Sequence, residues 1–367
     1  MKLYNASYRK FIEYVKGRDV VCYGAGKMLD EMEASIPELP FFCNSISVVD
    51  GDGDKHGKKR NIYGEELIIR DIECLKNKKD IVIIVTSGAI YEILENLQRL
   101  VSDETPTFIF YLMRREKYEH DVITVIDDER IIGMQETEQI PKIIHYFWFG
   151  KKEIPDNYKK NIETWRKYCS SYEFKLWDEN NCDLEECIYA EQAYMHGKYG
   201  FVPDYFRLKR IYEYGGIYLD LDVELIKPLD ELRYLDAYAG MEDNNYVNFG
   251  SGFGAKKQFP IIKEMFEIYE REKFEKADGT LNLCASPYYQ TNVLKKHGYI
   301  CNGKMQSIEG MTILPMNYLT VQSPHTGRRY ISKNSFSIHK YAASWVSESE
   351  RKKKEYLEEL YANAEMI

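Results

Sequence analysis

The first third of the chain alternates short apolar runs with amphipathic segments. Most of the apolar runs lead into a turn of glycine or polar residues, and helical patterns lie between them. Such alternation predicts a parallel sheet with helices on its faces. We therefore expect a small Rossmann-like α/β domain over residues 1–120. The first predicted strand and its glycine turn cover residues 19–27, the second strand and its polar loop cover 46–59, and two further strands cover 79–87 and 107–113. One predicted helix follows the glycine turn and ends near Ser35, and another covers 89–101.

The pattern changes in the middle of the chain. Residues 121–139 have no clear period, and we interpret them as a linker. A proline then opens a new apolar strand, IPKIIHYFWFG, at residues 140–150. From there we expect a second α/β domain over 140–347 and a C-terminal helix over 348–367. The predicted helices of the second domain lie near residues 157–168, 185–198, 203–214 and 260–272.

Composition narrows the class of protein. A chain of 367 residues with 44% hydrophobic and 30% charged residues is typical of a folded enzyme with about two domains. The net charge of −9 argues against nucleic acid as a partner. The 31 tyrosines suit sugar rings, which offer C–H faces and hydroxyl rims, although a low-GC coding sequence also enriches tyrosine.

Further patterns bear on location. The first 19 residues contain no apolar core of a secretory signal, and no segment approaches the ~20 apolar residues of a membrane span. Eight scattered cysteines without paired zinc-ligand spacing are typical of reduced thiols. We therefore expect a cytoplasmic protein. The C-terminal stretch RKKKEYLEELYANAEMI leaves open a peripheral association with the inner face of a membrane.

The stretch FVPDYFRLKRIYEYGGIYLDLDVE, residues 201–224, carries the strongest chemical signal. Its first half predicts a helix over 203–214 that ends at the following glycine pair. Asp204 and Arg207 are three residues apart, so they share one face of this helix. They could bind a ligand together, or they could form an intrahelical ion pair of about 0.2–0.5 kcal/mol.

The second half of this stretch predicts a strand with a polar face. Strict alternation would place Tyr218, Asp220 and Asp222 opposite the apolar residues. The two carboxylates could then approach one cation, because alpha carbons two apart on a strand are roughly 6–7 Å apart. Oxygen ligands select hard ions such as Mg²⁺ or Mn²⁺, which bind diphosphate and act as Lewis acids. The alternative is a pair of solvated aspartates at an exposed strand end.

Three motifs in this order resemble a known family. IPKIIHYFWFG, FVPDYFRLKRIYEYGGIYLDLDVE and SIHKYAASW are similar to segments of DXD-motif glycosyltransferases related to yeast initiating α-1,6-mannosyltransferase and bacterial capsule transferases. More distantly, they resemble the catalytic domain of the large clostridial glucosylating toxins. The resemblance covers about residues 140–347. It implies a GT-A fold, a nucleotide-sugar donor, a divalent metal ion and retention of anomeric configuration.

The resemblance also implies roles for residues of the central motif. Asp220 resembles the first DXD aspartate, which contacts the donor and reaches the ion through water. Asp222 resembles the direct metal ligand, and Tyr218 falls where the family places a tyrosine near the nucleotide. Asp204 and Arg207 match a pair that holds hydroxyl groups of the donor sugar.

The two outer motifs contribute further candidates. Trp148 falls where the toxin-like relatives stack an aromatic ring on uracil, which favours a UDP-sugar, although it could also be a core tryptophan. His339 resembles a third metal ligand, with a structural hydrogen-bonding role as the alternative. Ser344 and Trp345 complete the same motif and are candidates for donor binding. His145 is expected to be a buried histidine whose nitrogen atoms are both hydrogen-bonded.

The segment 240–257, GMEDNNYVNFGSGFGAKK, is rich in glycine and asparagine and predicts a loop that faces the acceptor. Asn248, or Gln290 in SPYYQT, could lie on the reacting face of the sugar. No carboxylate stands out as a covalent nucleophile, which favours front-face displacement. Double displacement through Glu242 or Asp243 stays open.

Two residues depart from the family pattern. Pro203 replaces a small hydroxyl residue before the helix aspartate, which removes a possible hydrogen bond to the base or sugar. Lys340 stands where relatives have a second aromatic residue or histidine, which would alter contacts with the acceptor. The sequence leaves open how these changes affect the substrate.

The first domain has weaker motifs. The turn Gly24-Ala25-Gly26 after a strand is half of a dinucleotide fingerprint, but Leu29 stands where the third glycine is expected. Asp50 at the end of the second strand could meet a ribose. Many sheets carry such a glycine turn without binding a nucleotide, so a regulatory nucleotide site, a docking role and a structural role all stay open.

These observations lead to one main hypothesis and two alternatives. The main hypothesis is a metal-dependent, retaining glycosyltransferase that moves a sugar from a UDP-sugar to an oligosaccharide or lipid-linked acceptor of a bacterial capsular polysaccharide. The first alternative is a nucleotide-sugar-modifying, NAD-dependent enzyme that acts through the N-terminal domain. The second is a non-catalytic carbohydrate-binding protein.

Overall fold

The structure is a computed structural model that describes residues 1–114, 131–323, 329–342 and 348–367, without the side chains of residues 348–351 and 354. The chain forms two compact units. The first comprises Met1–Thr124 and Lys352–Ile367, and the second comprises Val125–Arg351. Both ends of this chain therefore contribute to the first unit.

The first unit is built on an eight-stranded sheet. Its strands are β1 (Lys2–Asn5), β2 (Asp19–Tyr23), β3 (Ser45–Asp50), β4 (Lys59–Ile62), β5 (Glu65–Asp71), β6 (Ile81–Val85), β7 (Pro106–Ile109) and β17 (Glu365–Met366). Its helices are α1 (Tyr8–Val15), α2 (Lys27–Ser35), α3 (Ile90–Leu100) and most of α10 (Glu348–Ala362). The strand order is β17-β1-β7-β6-β2-β3-β5-β4. Only β4 runs antiparallel to its neighbour in this sheet.

This topology confirms most of the predicted alternation. Strands β2, β3 and β6 and helix α3 coincide with predicted segments. The strand predicted over 107–113 is wrong in its second half, because β7 ends at Ile109 and the backbone is helical from Phe110 to Arg114. Strands β2 and β6 are neighbours, but the strands that follow them in the chain, β3 and β7, lie on opposite sides of this pair in the sheet. In open α/β sheets, such a reversal opens a crevice at the carboxyl ends of the strands.

The second unit contains a mixed sheet and a small two-stranded sheet. The mixed sheet has the order β14-β15-β12-β13-β10-β8-β9, and β11 pairs with β16. The strands are β8 (Ile143–Phe147), β9 (Glu173–Trp177), β10 (Gly216–Tyr218), β11 (Val223–Leu225), β12 (Ala237–Met241), β13 (Val247–Ala255), β14 (Gln306–Ile308), β15 (Met311–Leu314) and β16 (Ser337–His339).

Six helices of the second unit lie in the described residues. The predicted helices near 157–168, 203–214 and 260–272 are confirmed to within one residue, whereas the predicted 185–198 segment is split into a short 3-10 turn and a helix. The helices are α4 (Asp156–Tyr168), α5 (Ile188–Met195), α6 (Pro203–Tyr214), α7 (Pro260–Arg271), α8 (Ser286–Lys296) and α9 (Met316–Leu319).

The predicted loop over 240–257 is wrong. Most of the segment forms the hairpin of β12 and β13, and all nine residues of β13 are buried. Glycine is frequent there because the strand is packed closely on both faces. A Cβ atom added to Gly254 would lie 2.7 Å from the ring of Tyr238. The glycine content therefore reports close packing in a buried sheet, which the sequence pattern alone does not distinguish from a loop.

Residues 115–130, which include part of the predicted linker, lie outside the described residues. Residues 131–139 belong to the second unit, where the backbone amides of Gln135 and Gln139 donate to the carbonyl groups of Tyr234 and Arg233 at 2.7 and 2.8 Å. Among the helices in the described ranges, none is both long and apolar enough to cross a membrane.

Candidate metal and donor site

Two glycines set the path of the chain into the site. Helix α6 ends at Gly215, whose φ of 67° lies in the left-handed region. Gly216 follows with a φ of 112°, and a Cβ atom there would lie 2.8 Å from the carbonyl oxygen of Ile143. Only glycine therefore allows β10 to begin here, between the parallel strand β8 and the antiparallel strand β13.

The two aspartates lie in a turn after β10. The strand ends at Tyr218, so the prediction that Asp220 and Asp222 alternate along one strand is wrong. The amide of Val223 donates to the carbonyl of Asp220 at 3.0 Å, which closes the turn and starts β11. Residue Val223 is paired with His339 of β16. This pairing brings an imidazole from more than 100 positions later in the sequence beside the aspartates.

Helix α4 holds this turn from its buried side. The indole of Trp165 donates to the carbonyl of Val223 at 2.7 Å, and the amide of Asn161 donates to the carbonyl of Leu221 at 2.7 Å. Lys340 donates to the side-chain oxygen of Asn161 at 2.8 Å. Lys340 thus supports the turn, and its effect on acceptor contacts stays a prediction. Without these hydrogen bonds, the carbonyl groups of the turn would be buried without partners, which is energetically costly.

Asp220, Asp222 and His339 form a compact set of possible ligands. One ligand atom from each residue lies within 4.8 Å of the others. His339 Nε2 is 3.2 Å from Asp222 Oδ1 and 4.0 Å from Asp220 Oδ2. The side chains of Asp222 and His339 are 13% and 6% exposed, while that of Asp220 is 32% exposed. The set is therefore anchored in the interior and open on the side of Asp220.

The hydrogen bonds of the two carboxylates leave one oxygen of each toward the histidine. Asp220 Oδ1 accepts from the Tyr218 hydroxyl and lies 3.7 Å from Arg207 Nη1. Asp222 Oδ2 accepts from the amide of Ala342 at 2.8 Å. The other two oxygens face His339 Nε2. Two oxygen donors and an imidazole nitrogen fit a divalent ion, with the nitrogen favouring Mn²⁺ over Mg²⁺.

Gly250 of β13 keeps space beside the same oxygen of Asp220. A Cβ atom added to Gly250 would lie 2.4 Å from Asp220 Oδ2 and 2.9 Å from Asn248 Oδ1. The protein thus reserves room at one of the two oxygens that face the histidine. Gly250 was not among the predicted site residues, because nothing in its neighbourhood distinguishes it from the other glycines of β13.

The pKa shifts follow from burial and from charge. Burial raises the pKa of Asp220, even though Arg207 and His339 oppose the shift. Burial also disfavours the charged form of Asp222, but His339 and backbone amides overcome it and lower the pKa of that carboxyl. The pKa of His339 is raised despite burial, since Asp222 and Asp220 stabilise its charged form. The two carboxylates thus favour the charged form of His339.

A second group lies on the other side of Asp220. Arg207 Nη2 donates to Asp204 and to the hydroxyl of Ser286, the latter at 2.6 Å. Both members of the Asp204–Arg207 pair are buried, and the guanidinium lies 5.4 Å from the ring centroid of Tyr218. Arg207 Nε is buried and has no hydrogen-bond partner among the described residues. The guanidinium therefore links the helix pair to the DXD turn and keeps an unused donor.

Burial of this pair has a clear electrostatic signature. Burial raises the pKa of Asp204 to about 6, although Arg207 favours the charged carboxylate. Burial disfavours the charged guanidinium of Arg207, but Asp204, Tyr218 and Asp220 outweigh it and raise its pKa. A surface i,i+3 ion pair would show neither effect, so the pair is more than a solvated feature of the helix.

Comparison with known proteins agrees with this geometry. Residues 155–238 match the family model described as glycosyltransferase sugar-binding region containing DXD motif. That range includes the helix pair and both aspartates of the turn. Residues 155–238 are therefore similar to the sugar-binding region of DXD-motif glycosyltransferases. His339 and Trp148 lie outside the matched range, so their roles rest on the geometry described here.

Two curated relatives also match parts of the chain. Inositol phosphoceramide mannosyltransferase 3 of Schizosaccharomyces pombe is 29% identical over 159 residues, which are 40% of this chain and 43% of the relative. Initiation-specific alpha-1,6-mannosyltransferase of Candida albicans is 29% identical over 106 residues, which are 26% of this chain and 28% of the relative. The chain thus spans less than half the length of these relatives.

Two solved glycosyltransferases show a low overall similarity to the structure. One is PaToxG glycosyltransferase, with a TM-score of 0.35 and 20% identity over 50% of this chain and 78% of that chain. The other is a glycosyltransferase involved in glycosylation of the major capsid of PBCV-1, with a TM-score of 0.35 and 16% identity over 60% of this chain and all of that chain. Scores this low carry no argument about the site.

The remaining predicted site residues of the second unit have different environments. Trp148 lies just after β8 and is partly exposed, and its indole donates to the carbonyl of Lys152 at 2.5 Å. Strands β8 and β10 are parallel, so Trp148 and Asp220 follow strand ends at the same edge of the sheet. Pro203 occupies the first turn of α6, where its missing amide hydrogen costs nothing. Ser344 and Trp345 lie outside the described residues.

Asn248 of strand β13 and Gln290 of helix α8 are both buried. Asn248 donates to Glu242 at 2.7 Å and accepts from the amide of Gly250 at 2.7 Å. Gln290 accepts from the amide of Phe249 at 3.0 Å, and its Nε2 atom has no hydrogen-bond partner in the described part of the chain. Asn248 therefore connects an acidic residue to the glycine beside the DXD turn.

The structure also shows the surroundings of two acidic candidates, Glu242 and Asp243, and of His145. Burial, together with the charge of Asp243, raises the pKa of Glu242 to about 7. Asp243 is buried and accepts from the Ser323 hydroxyl at 3.2 Å. The prediction for His145 is confirmed, because Trp177 donates to its Nδ1 and its Nε2 donates to the carbonyl of Gly215, both at 3.0 Å. Burial lowers the pKa of His145 to about 4, which keeps it neutral.

Proposed function

We propose that the protein is a metal-dependent glycosyltransferase that moves a hexose from a nucleotide sugar to a glycan hydroxyl. The observation that carries the proposal is the convergence of Asp220, Asp222 and His339 beside the buried Asp204–Arg207 pair, within a family defined by sugar binding. We assign the second unit to the GT-A fold and the first to a Rossmann-like accessory domain. The intact ligand set favours an enzyme over a non-catalytic binding protein.

The residues of the site divide the work between ion and sugar. Asp222, Asp220 and His339 would hold a divalent cation, which when bound neutralises the negative charge of the diphosphate leaving group. Asp204 can accept hydrogen bonds from sugar hydroxyls, and Arg207 can donate to them through its free Nε–H. The Tyr218 hydroxyl orients Asp220. These groups are placed before substrate arrives, which limits the reorganisation needed during reaction.

We assign retention of configuration to the reaction, by front-face displacement. Glu242 and Asp243 are the acidic residues considered for double displacement. Glu242 Oε1 accepts from Asn248 and Asp243 Oδ2 accepts from Ser323, which favours front-face displacement over attack by either oxygen. Asn248 and Gln290 support the wall of the sheet next to Gly250, and we assign them to the donor side of the site. Ser344 and Trp345 stay in the proposal as donor-binding residues.

Two donors are supported by different observations. Trp148 at the edge of β8 favours a UDP-sugar, since its partly exposed ring could stack on uracil. The names of the two fungal relatives favour mannosyl transfer instead. We propose a UDP-sugar as donor and treat GDP-mannose as the second candidate. Mn²⁺ is the proposed ion because of the imidazole ligand.

The acceptor and the setting are proposals of the same kind. We propose an oligosaccharide or lipid-linked glycan acceptor in bacterial capsular polysaccharide synthesis, at the cytoplasmic side of the membrane. One relative is named for transfer to inositol phosphoceramide, which supports a lipid-linked acceptor. The basic segment at the start of α10 could contact anionic headgroups during peripheral association.

The test is a screen for donor hydrolysis and transfer with and without Mn²⁺. UDP-glucose, UDP-galactose, UDP-N-acetylhexosamines and GDP-mannose are the donors, and NMR of the product reports its anomeric configuration. The variant Asp222→Asn should lose more than the roughly 10–100-fold typical for residues behind the metal ligands. Asp156→Asn, an exposed change in the same unit, should keep full activity. Turnover that survives in folded Asp222→Asn, or that ignores Mn²⁺, would refute the proposal.

A further inference from the structure

The first unit contains a cavity that the proposed transfer reaction does not use. It has a volume of about 600 Å³ and lies at the carboxyl ends of β2, β3 and β6. Ligand pockets in proteins typically measure roughly 300–1,000 Å³. The cavity is lined by residues from the loops after all three strands, including Gly26, Lys27, Asp50, Gly51, Thr86 and Gly88.

The position of the cavity follows from the topology of the sheet. Strands β2 and β6 are adjacent, but the chain leaves them in opposite directions, so the following loops separate there. Helices α2 and α3 both begin beside the cavity, at Lys27 and Ile90. Their free amide groups and dipoles favour an anionic group at that end. The fold alone thus places a phosphate-compatible environment in the crevice.

At two glycines of the lining, neither the backbone conformation nor the packing of the protein requires glycine. Gly26 has φ −98° and ψ −166°, an extended backbone that other residues adopt readily. A Cβ atom added to Gly26 or Gly88 would meet nothing within 4 Å, and neither has a φ in the left-handed region. Gly24 differs, because its φ is 117° and a Cβ atom would lie 2.7 Å from the carbonyl of Thr86. The space beside Gly26 and Gly88 is therefore open to a ligand.

The charges around the cavity leave one lysine unpaired. All four acidic side chains of the wall have a cationic partner, and Lys55 is shared by Asp50 and Asp52 at 3.0 and 3.6 Å. Lys27, at the first position of α2, is exposed and has no ion-pair partner in the described residues. The two remaining acids, Glu31 and Glu92, pair with Arg114 and Lys353.

Two backbone amides and Lys55 hold the Asp50 carboxylate in place, and one of its oxygens can still accept a further hydrogen bond. Its Oδ2 accepts from the amide of Ala25 at 2.8 Å and from Lys55 at 3.0 Å, and its Oδ1 accepts from the amide of Asp52 at 2.9 Å and from no other described residue. A carboxylate oxygen has two lone pairs, so Oδ1 can accept one further hydroxyl hydrogen. Asp50 ends β3, where a ribose hydroxyl would lie if phosphates were at the start of α2.

We infer that this cavity binds a nucleoside diphosphate group, with phosphates at Gly26 and Lys27 and a ribose hydroxyl at Asp50. Such a group occurs in free nucleotides, in nucleotide sugars and in dinucleotides, and the cavity chemistry is the same for all three. Leu29 is fully buried in the core where a dinucleotide fingerprint has its third glycine, so α2 is spaced from the sheet by a side chain. The inference is independent of the proposed transfer reaction.

Calorimetry of the full chain tests this inference. UDP, ADP, UDP-glucose and NAD⁺ are titrated in excess EDTA, which removes any binding that requires the cation of the second unit. We expect at least one of them to bind, and the four ligands separate the three sources of the same chemistry. Two variants should weaken binding at least tenfold: Lys27→Glu, which reverses the unpaired charge, and Gly26→Asp, which places a carboxylate at the phosphate position. Both keep the fold, because acidic residues stabilise the start of a helix and aspartate is a favoured N-cap.

Controls distinguish this cavity from other causes. Lys10→Glu makes the same charge change in the first turn of α1, away from the cavity, and should leave binding unchanged. Asp222→Asn should also leave it unchanged. The inference is overturned if none of the four ligands binds at millimolar concentration, if Lys27→Glu binds as well as the unmodified chain, or if Lys10→Glu or Asp222→Asn weakens binding equally.

Discussion

Each unit places an aspartate where the chain leaves the carboxyl edge of its sheet, but the two are stabilised in opposite ways. Asp50 in the first unit accepts from two backbone amides and one lysine. Asp220 in the second unit accepts from one hydroxyl and leaves an oxygen facing Asp222 and His339. The chain itself supplies the donors for Asp50. At Asp220 it gathers a second carboxylate instead, which a bound cation would balance.

The pKa shifts record the same contrast. Burial opposes ionisation at both residues. At Asp50, amide and lysine donors outweigh burial and lower the pKa, whereas at Asp220 burial dominates and raises it. A carboxylate whose charge is stabilised by donors of its own chain needs no cation, and one left short of donors indicates a site that binds a cation. This distinction separates two sequence features that look alike.

The largest expected effect that tests this contrast comes from Gly250→Ala. The added Cβ atom would lie 2.4 Å from Asp220 Oδ2, and the nearest obstacles are the ends of two side chains. We expect the fold to persist while Asp220 turns away from its partners. Activity with Mn²⁺ should fall at least about 100-fold, since displacing a ligand should exceed the roughly 10–100-fold effect of second-layer residues. The melting temperature and steady-state rates measure the two parts.

Gly88→Ala is the matched control in the first unit. An added Cβ atom there meets nothing within 4 Å, and the backbone is not in the left-handed region. Transfer activity and melting temperature should both stay close to those of the unmodified chain. Equal activity of Gly250→Ala and Gly88→Ala would show that space beside Asp220 is not needed, and the proposed ion site would fail.

Much of the fold could be predicted from the sequence because its signals are local. The apolar runs at β2, β3 and β6 and the helix over 203–214 follow from periodicity and from terminating glycines. The hairpin of β12 and β13 could not, since its glycines allow close packing against Tyr238, Leu219 and Leu319, which approach them only in the folded chain. Short strands with charged residues, such as β4, also lack a strong pattern.

The candidate site divides in the same way. Asp204 and Arg207 were placed together correctly by helical spacing, and the structure confirms their contact. Asp220 and Asp222 were placed together for the wrong reason, because a turn, not an alternating strand, brings them close. Ser286 and Gly250 were missed. Their proximity depends on the pairing of distant segments, which no local pattern in one sequence reports.

A smaller effect is expected from Asp50→Asn in the first unit. Asparagine keeps the shape but loses the charge that strengthens hydrogen bonds to two amides and Lys55. Hydrogen bonds to charged groups contribute about 1.5–3 kcal/mol each before relaxation, so we expect a loss of about 1–3 kcal/mol in local stability. Hydrogen exchange of the β2 and β3 amides measures it. Transfer activity of the folded fraction should not change.

The pH dependence of this effect has a definite sign. The pKa of Asp50 is lowered in the folded state, so its contribution is present above about pH 4 and is lost as pH falls through the lowered value. The difference between the unmodified chain and Asp50→Asn should therefore shrink at acid pH. Asp52→Asn is the control, because this side chain is half exposed and asparagine can still cap the following turn. A pH-independent difference for Asp50→Asn would contradict the contribution of the Asp50 charge to stability.

The smallest effect is expected at His297 in the second unit, and it has the opposite sign with pH. Its two ring nitrogens lie 2.7 and 2.9 Å from Glu264 and Glu309, and these hydrogen bonds raise its pKa. Stability from the charged ring is complete below about pH 6.5 and is lost as pH rises through the raised value. Because Glu309 is largely exposed, His297→Gln should cost less than about 1 kcal/mol at pH 6 and almost nothing at pH 9. His196→Gln, which removes one carboxylate contact, should cost less still. Thermal unfolding at both pH values measures the difference, and a larger loss at pH 9 than at pH 6 would contradict the assignment of a charged ring.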